Sequence, residues 1–247
     1  MSVYGLIGKK LAHSFSKKYF TEKFETEKLS SCSYELFELP TIDKLTQLVR
    51  TLPGLAGLNV TIPYKEEVIP MLDEVHDKAR EIGAVNVIKV CNGKLTGYNS
   101  DYFGFKKSLI NWLDEPGKIR ALILGTGGAS KAVIAALKDL SISYQLVSRN
   151  PEKGNLSYVS LKKTPEIIKS HHLIINTTPL GMYPQMDSAP DLDYSLISDK
   201  HYLYDLVYNP EITRFLETGL NSGAKVKNGS EMLHLQAEKS WKIWNQR

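Results

Sequence analysis

The chain has 247 residues, 42% of them hydrophobic and 23% charged, with a formal net charge of +4. That size admits one large globular domain or two modest ones. The positive charge is spread without a long basic run, which argues against a dedicated nucleic-acid binder, and no stretch approaches the roughly 20 apolar residues of a membrane span. Cys32 and Cys91 stand outside any C-x-x-C pair. Together with an N-terminus that lacks an apolar run of signal-peptide length, they predict a reducing, cytoplasmic setting.

Val3 to Gly8 predicts a first strand, followed by a loop and a helix beginning near Ser16, a candidate N-cap. Ser14 and Ser16 place two hydroxyls two residues apart, suited either to capping or to holding an anion. Tyr34 to Leu39 predicts a second strand and Ile42 to Val49 a helix. Ala56 to Thr61 predicts a third strand, on which Asn59 and Thr61 share one face and Leu58 and Val60 the other. Pro63 ends it, because proline has no N–H for a ladder. Lys65 follows at the start of a short helix, beyond the strand end where ligands gather in α/β folds; by itself it reads equally well as a solvated helix lysine.

Asp73 to Ile82 predicts another helix. Val85 to Cys91 and Lys94 to Asn99 then flank Asn92-Gly93, the strongest short hairpin signal, because both turn residues need positive φ. A two-residue turn pairs Cys91 with Lys94 and, counting back, Asn86 with Asn99. Asp101 lies just past that end, close to Asn86, and suits the N-cap of a helix over Tyr102 to Leu113. Glu115-Pro116-Gly117 predicts a turn.

Ile119 to Leu124 is an apolar run of the kind buried on both faces, Gly125-Thr126-Gly127-Gly128-Ala129 carries no bulky side chain, and Ala129 to Leu140 shows an apolar stripe at helical spacing. Strand, glycine turn and helix form the first half of a nucleotide-binding βαβ unit, although Ser130 stands where a full G-x-G-x-x-G has its last glycine. The next strand, Tyr144 to Val147, ends in Ser148-Arg149-Asn150, with Lys153 close behind. An NAD site places Asp or Glu there for the ribose 2′-hydroxyl; cations suit a 2′-phosphate and read as NADP. Further strands are predicted at Leu173 to Ile175, His201 to Tyr208 and Ala224 to Lys227, with an irregular excursion over 183–200, a helix over Glu211 to Leu220, and a terminal helix opened by Gly229-Ser230. Met232 and Gln236 lie one turn apart on that helix.

These motifs, in this order, resemble the shikimate dehydrogenases over almost the full sequence. Ser14-Phe15-Ser16 is similar to the family's substrate loop, and Asn59-Val60-Thr61-Ile62-Pro63-Tyr64-Lys65 to its most specific motif. Gly83-Ala84-Val85-Asn86, Gly97-Tyr98-Asn99-Ser100-Asp101, Gly125 to Ala129, Asn176 to Met182, Asp205 to Pro210, and Gly229 with Met232 and Gln236 complete the set. The sequence departs from the common pattern at Lys17, Val87 and Ser100, and at Ser148-Arg149-Asn150, where relatives commonly have Asn-Arg-Thr.

The resemblance implies a two-domain α/β protein: a substrate domain from residues 1–101 plus 229–247, and a Rossmann-like NADP-binding domain over 102–228, with the active site in the cleft. It implies reversible NADPH-dependent reduction of 3-dehydroshikimate to shikimate, on the route to chorismate and aromatic amino acids, in a monomer or homodimer without metal, nucleic-acid or membrane partners. Lys65 and Asp101 are the implied catalytic pair: an ammonium can stabilise an alkoxide-like oxygen and give it a proton. Ser14 and Ser16, assisted by Tyr208, are implied to hold the substrate carboxylate, and Asn59, Thr61, Asn86 and Gln236 the ring hydroxyls. Implied cofactor contacts are Gly125, Thr126, Gly127, Gly128, Ala129, Ser148, Arg149, Asn150, Lys153, Thr178, Pro179, Leu206, Gly229 and Met232. The rival expectations are a quinate/shikimate dehydrogenase using NAD, against which Arg149 speaks, and a non-catalytic NADP-binding regulator, which has no need of both Lys65 and Asp101.

Overall fold

The computed structural model describes residues 1–11, 14–113 and 118–246. The predicted turn at Glu115-Pro116-Gly117 and His13 of the first loop lie outside the described residues. The chain forms two compact units, Met1–Phe103 with Gln236–Arg247, and Gly104–Leu235.

The first unit contains β1 (Ser2–Gly8), α1 (Phe15–Thr26), β2 (Cys32–Glu38), α2 (Lys44–Thr51), β3 (Leu55–Val60), α3 (Tyr64–Glu67), β4 (Glu74–Val75), α4 (Asp77–Ile82), β5 (Val87–Cys91) and β6 (Lys94–Tyr98). Then follow α5 (Ser100–Ile110), β7 (Arg120–Leu124), α6 (Gly128–Asp139), β8 (Ser143–Ser148), β9 (Leu156–Ser157), α7 (Tyr158–Lys163), α8 (Glu166–Ser170), β10 (Leu173–Asn176), β11 (Tyr202–Asp205), α9 (Arg214–Asn221), β12 (Lys225–Lys227) and α10 (Ser230–Asn245). The division between the units falls inside α5 and inside α10.

The first sheet has the order β2-β1-β3-β5-β6-β4. β1 runs parallel to β2 and β3, and β5 antiparallel to β3 and β6. The β5–β6 hairpin pairs Cys91 with Lys94 and Val87 with Tyr98. Its turn residues Asn92 and Gly93 have φ of 51° and 78°, the left-handed conformation that the Asn-Gly signal requires. One face of this sheet is closed by an aromatic cluster in which Trp241 and Trp244 of α10 meet Tyr4, Phe20, Phe24 and Tyr34. The Trp244 indole donates to the Ile88 carbonyl at 3.0 Å, and its ring occupies the space that a side chain on Gly57 would need.

The helix expected over Asp73 to Ile82 is two elements. The Asp73 N–H donates to the Leu95 carbonyl and the His76 N–H to the Gly97 carbonyl, so β4 pairs with β6 before α4 begins. His76 Nδ1 then accepts from the Lys78 N–H and starts α4. Val75, Ala79 and Ile82 stand at helical spacing, but Val75 reaches the core from a strand.

The second sheet, β12-β11-β10-β7-β8-β9, is parallel at every pairing. That order is the doubly wound arrangement, with its reversal between β7 and β10. Ala121 to Leu124 and Leu173 to Ile175 are all fully buried, as strands covered on both faces must be. The strand expected over His201 to Tyr208 stops at Asp205, whose carboxylate accepts from the Val207 N–H and turns the chain. β9, α7 and α8 are too short to leave a periodic signal.

Candidate active site

Lys65 enters the site from α3, directly after Pro63 has ended the path of β3. Its carbonyl accepts from the Val85 N–H at 2.7 Å, which ties the lysine to the stretch leading into β5. Its ammonium lies 2.7 Å from Asp101 Oδ2, with the Lys65 side chain 18% exposed and that of Asp101 5% exposed. Removing one member of a pair this enclosed leaves the other charge uncompensated, so the two act as one element.

Asp101 is free for this pairing because it is not the cap of its helix. Asn99 performs that role: its Oδ1 accepts from the Tyr102 N–H at 3.0 Å while its Nδ2 donates to the Ala84 carbonyl at 2.9 Å. The expected cap at Asp101 is corrected accordingly; Asp101 sits in the first turn of α5, where the helix dipole favours a carboxylate. Asn86 stands beside it. The Asn86 Oδ1 accepts from the Ser100 N–H at 2.6 Å, and its Nδ2 donates to Ser100 Oγ at 3.0 Å and to Gln236 Oε1 at 3.3 Å. Asn59 accepts from the Tyr34 hydroxyl at 2.8 Å and donates to Ser240 Oγ at 3.0 Å. Thr61 follows β3 on the way to Lys65.

At the first helix the N-cap is Ser14, not Ser16: the Ser14 Oγ accepts from the Lys17 N–H at 3.3 Å. This bond uses a lone pair and leaves the Ser14 hydroxyl proton for another acceptor. Ser16 lies in the first turn of α1.

In the second unit the glycine turn leaves β7 on one side of the strand-order reversal, and the loop from Asn176 to Gly181 leaves β10 on the other. The two loops touch. Gly125 has φ of 108°, and a Cβ there would come within 2.8 Å of Thr178 Cγ2 and 2.9 Å of Thr177 Oγ1. Ligands of doubly wound sheets bind at this reversal. Gly127 is the N-cap of α6, makes no side-chain capping bond, and has nothing within 4 Å of where its Cβ would stand. The positive end of this twelve-residue helix thus carries no side-chain cap and has open space beside Gly127, which fits a pyrophosphate. On the neighbouring strand β8, Ser148 is buried and accepts from the Asn150 N–H, Asn150 caps the following turn, and Arg149 and Lys153 are exposed. Ser148, Arg149 and Asn150 follow one another at that strand end, and the exposed cations Arg149 and Lys153 fit a nucleotide bearing a 2′-phosphate.

Residues 6–88 match the family model described as the shikimate dehydrogenase substrate binding domain. Over 254 residues the chain is 43% identical to the shikimate dehydrogenase (NADP(+)) of Clostridium beijerinckii, covering 100% of this chain and 93% of that one. The chain belongs to the shikimate dehydrogenase family. Solved structures agree. The shikimate dehydrogenase of Aquifex aeolicus is 35% identical and matches with a TM-score of 0.87 over 99% of this chain and 92% of that one. The shikimate 5-dehydrogenase of Thermus thermophilus, solved in complex with NADP(H) and shikimate, is 30% identical with a TM-score of 0.86 over 99% and 94%.

For a shikimate dehydrogenase the distribution of the expected residues is clear. Ser14, Ser16, Asn59, Thr61, Lys65, Asn86, Asp101 and Gln236 belong to the first unit; Tyr208, exposed after β11, belongs to the second with all the expected cofactor residues. Gly229 is required by packing, since a Cβ there would run into the Leu206 backbone, and Met232 is buried one turn beyond. The residues that shape the Thr178-Pro179 loop are not among those expected from the sequence. Asn176 Oδ1 accepts from the Thr178 N–H and hydroxyl, and its Nδ2 donates to Asp205 Oδ1 at 3.0 Å. Asp205 Oδ2 accepts from the Thr213 hydroxyl at 2.6 Å. Burial pushes the Asp205 carboxyl up to about 6, against the lowering effect of these hydrogen bonds. In the sequence, Asn176 and Asp205 each end an apolar strand and open one of the stretches that resemble the family, with no role of their own assigned.

Proposed function

We propose that the protein catalyses the reversible NADP(H)-dependent interconversion of 3-dehydroshikimate and shikimate. The observation that carries this reading is the Lys65–Asp101 pair, 2.7 Å apart and largely enclosed, beside the Asn86–Gln236 amides. When bound, NADPH supplies a hydride to the carbonyl carbon of the substrate. The oxygen left behind gains negative charge, and the Lys65 ammonium stabilises it and delivers a proton. Asp101 holds the lysine in place and accepts a hydrogen bond from a substrate hydroxyl. In the reverse direction Lys65 takes the proton as the alcohol is oxidised. Ser14 and Ser16, with Tyr208, donate to the substrate carboxylate, and Asn59, Thr61, Asn86 and Gln236 bind the ring hydroxyls.

The N–H groups at Gly127, Gly128 and Ala129 would hold the pyrophosphate, with Gly125 and Thr126 shaping the turn. Arg149, with Ser148, Asn150 and Lys153, would hold the 2′-phosphate, and Thr178, Pro179, Leu206, Gly229 and Met232 would line the nicotinamide end. The C. beijerinckii relative is named for NADP(+), and the T. thermophilus structure contains both ligands; both support this assignment. The test is an absorbance assay of purified protein with shikimate and with quinate, each offered with NADP and with NAD. The expected result is NADP reduction with shikimate well above the other three combinations. Turnover only with quinate and NAD contradicts it. Among the described residues no helix is long and apolar enough to cross a membrane.

A further inference from the structure

A continuous chain of buried and partly buried polar groups links the residues assigned to substrate, all within the first unit. Its centre is Ser240 of α10, which is fully buried, as is Ser100. The Ser240 hydroxyl donates to the Gln236 carbonyl at 2.8 Å. Its proton being committed, Ser240 Oγ acts as acceptor toward Asn59 Nδ2 at 3.0 Å and toward the Ser100 hydroxyl at 3.2 Å. Ser100 Oγ in turn accepts from Asn86 Nδ2 at 3.0 Å, and the other Nδ2 hydrogen of Asn86 goes to Gln236 Oε1. At the far end Asn59 Oδ1 accepts from the Tyr34 hydroxyl at 2.8 Å.

An asparagine amide presents nearly the same shape either way round, so its partners decide which end faces a ligand. Here Ser240 and Ser100 draw the Nδ2 groups of Asn59 and Asn86 inward. Asn59 Oδ1 already accepts from the Tyr34 hydroxyl and Asn86 Oδ1 from the Ser100 N–H, so what each amide retains for a ligand is the second lone pair of Oδ1, the complement of a substrate hydroxyl that donates. We propose that Ser240 is a positioning residue that orients the Asn59 amide and the Gln236 turn directly, and the Asn86 amide through Ser100, to accept substrate hydroxyls. The proposal rests on the function argued above and adds a residue that touches neither substrate nor cofactor.

The test measures KM for shikimate and for NADP separately in Ser240→Ala and Ser240→Thr. Ser240→Ala removes the acceptor of two buried donors and should raise KM for shikimate by about tenfold or more, with KM for NADP within about twofold of the parent. Ser240→Thr keeps the hydroxyl and should recover most of the loss. Ser100→Ala breaks the same chain from α5 and should show the same split, which covers a Ser240 variant that fails to fold. An unchanged KM for shikimate in Ser240→Ala or Ser100→Ala overturns the proposal, as does an equal rise in both KM values. A parent protein with no shikimate turnover overturns the functional reading itself, a result separable from the variants.

Discussion

Two elementary counts place Lys65 and Asp101 separately in the sequence, and only the family resemblance makes them partners. Strand alternation places Lys65 at the end of a polar face, and the hairpin register places Asp101 beside Asn86. What the sequence does not reveal is that Asn99, rather than Asp101, caps α5, because Asn and Asp compete equally well for that position. The exchange matters for function. With Asn99 satisfying the helix end, the Asp101 carboxylate is left to the lysine 2.7 Å away. Asp101→Asn keeps the shape but removes the charge opposite Lys65; steady-state assays should show kcat reduced by about a hundredfold or more, in the range of acid–base contributions. Asp205 offers a second test with a different readout. Its carboxyl is raised to about 6 from an ordinary 3.8 by burial, so between those values the folded protein binds the proton more tightly than the unfolded chain. Stability attributable to this group is therefore present at low pH and lost as pH rises through that window, by on the order of 3 kcal/mol. Asp205→Asn, which can still accept from Asn176 and Val207 and donate to Thr213, should remove this dependence. Denaturant titrations from pH 4 to 7 should show the variant gaining on the parent as pH rises; parallel curves would refute the assignment.

Secondary structure is legible where one pattern governs and obscure where elements are short. The Asn92-Gly93 hairpin and the β7–turn–α6 unit carry strong local signals and lie where expected. β4 lies in a stretch that reads as helix because two residues cannot display a strand period, and its pairing with β6 is a long-range event. β9, α7 and α8 leave no signal for the same reason. The caps are the cheapest place to perturb these elements. Asn99→Ala removes the α5 cap and the tie to Ala84, and should cost about 1 kcal/mol in equilibrium unfolding together with a larger loss of kcat than of NADP affinity. A variant that loses stability but keeps full kcat would show that the cap does not hold Asp101 in place.

Strand order is where the protein as an assembly of two sheets becomes informative. A glycine-rich turn by itself is a weak signal, and the order β12-β11-β10-β7-β8-β9 cannot be counted from local periodicity. Once the order is known, Gly125 and Thr178 meet at the reversal point and Arg149 stands at the end of the adjoining strand. Arg149→Ala should raise KM for NADPH by about 10- to 100-fold, the worth of a hydrogen bond to a charged group, and leave KM for NADH nearly unchanged. Equal effects on the two cofactors would remove Arg149 from phosphate recognition. The division of labour leads to the most direct measurement, shikimate-dependent turnover of Lys65→Ala alongside its thermal stabilisation by NADP. Turnover should fall at least about a hundredfold while the NADP-induced rise in Tm stays that of the parent. Turnover that survives the loss of the Lys65 amine would contradict the account at its centre.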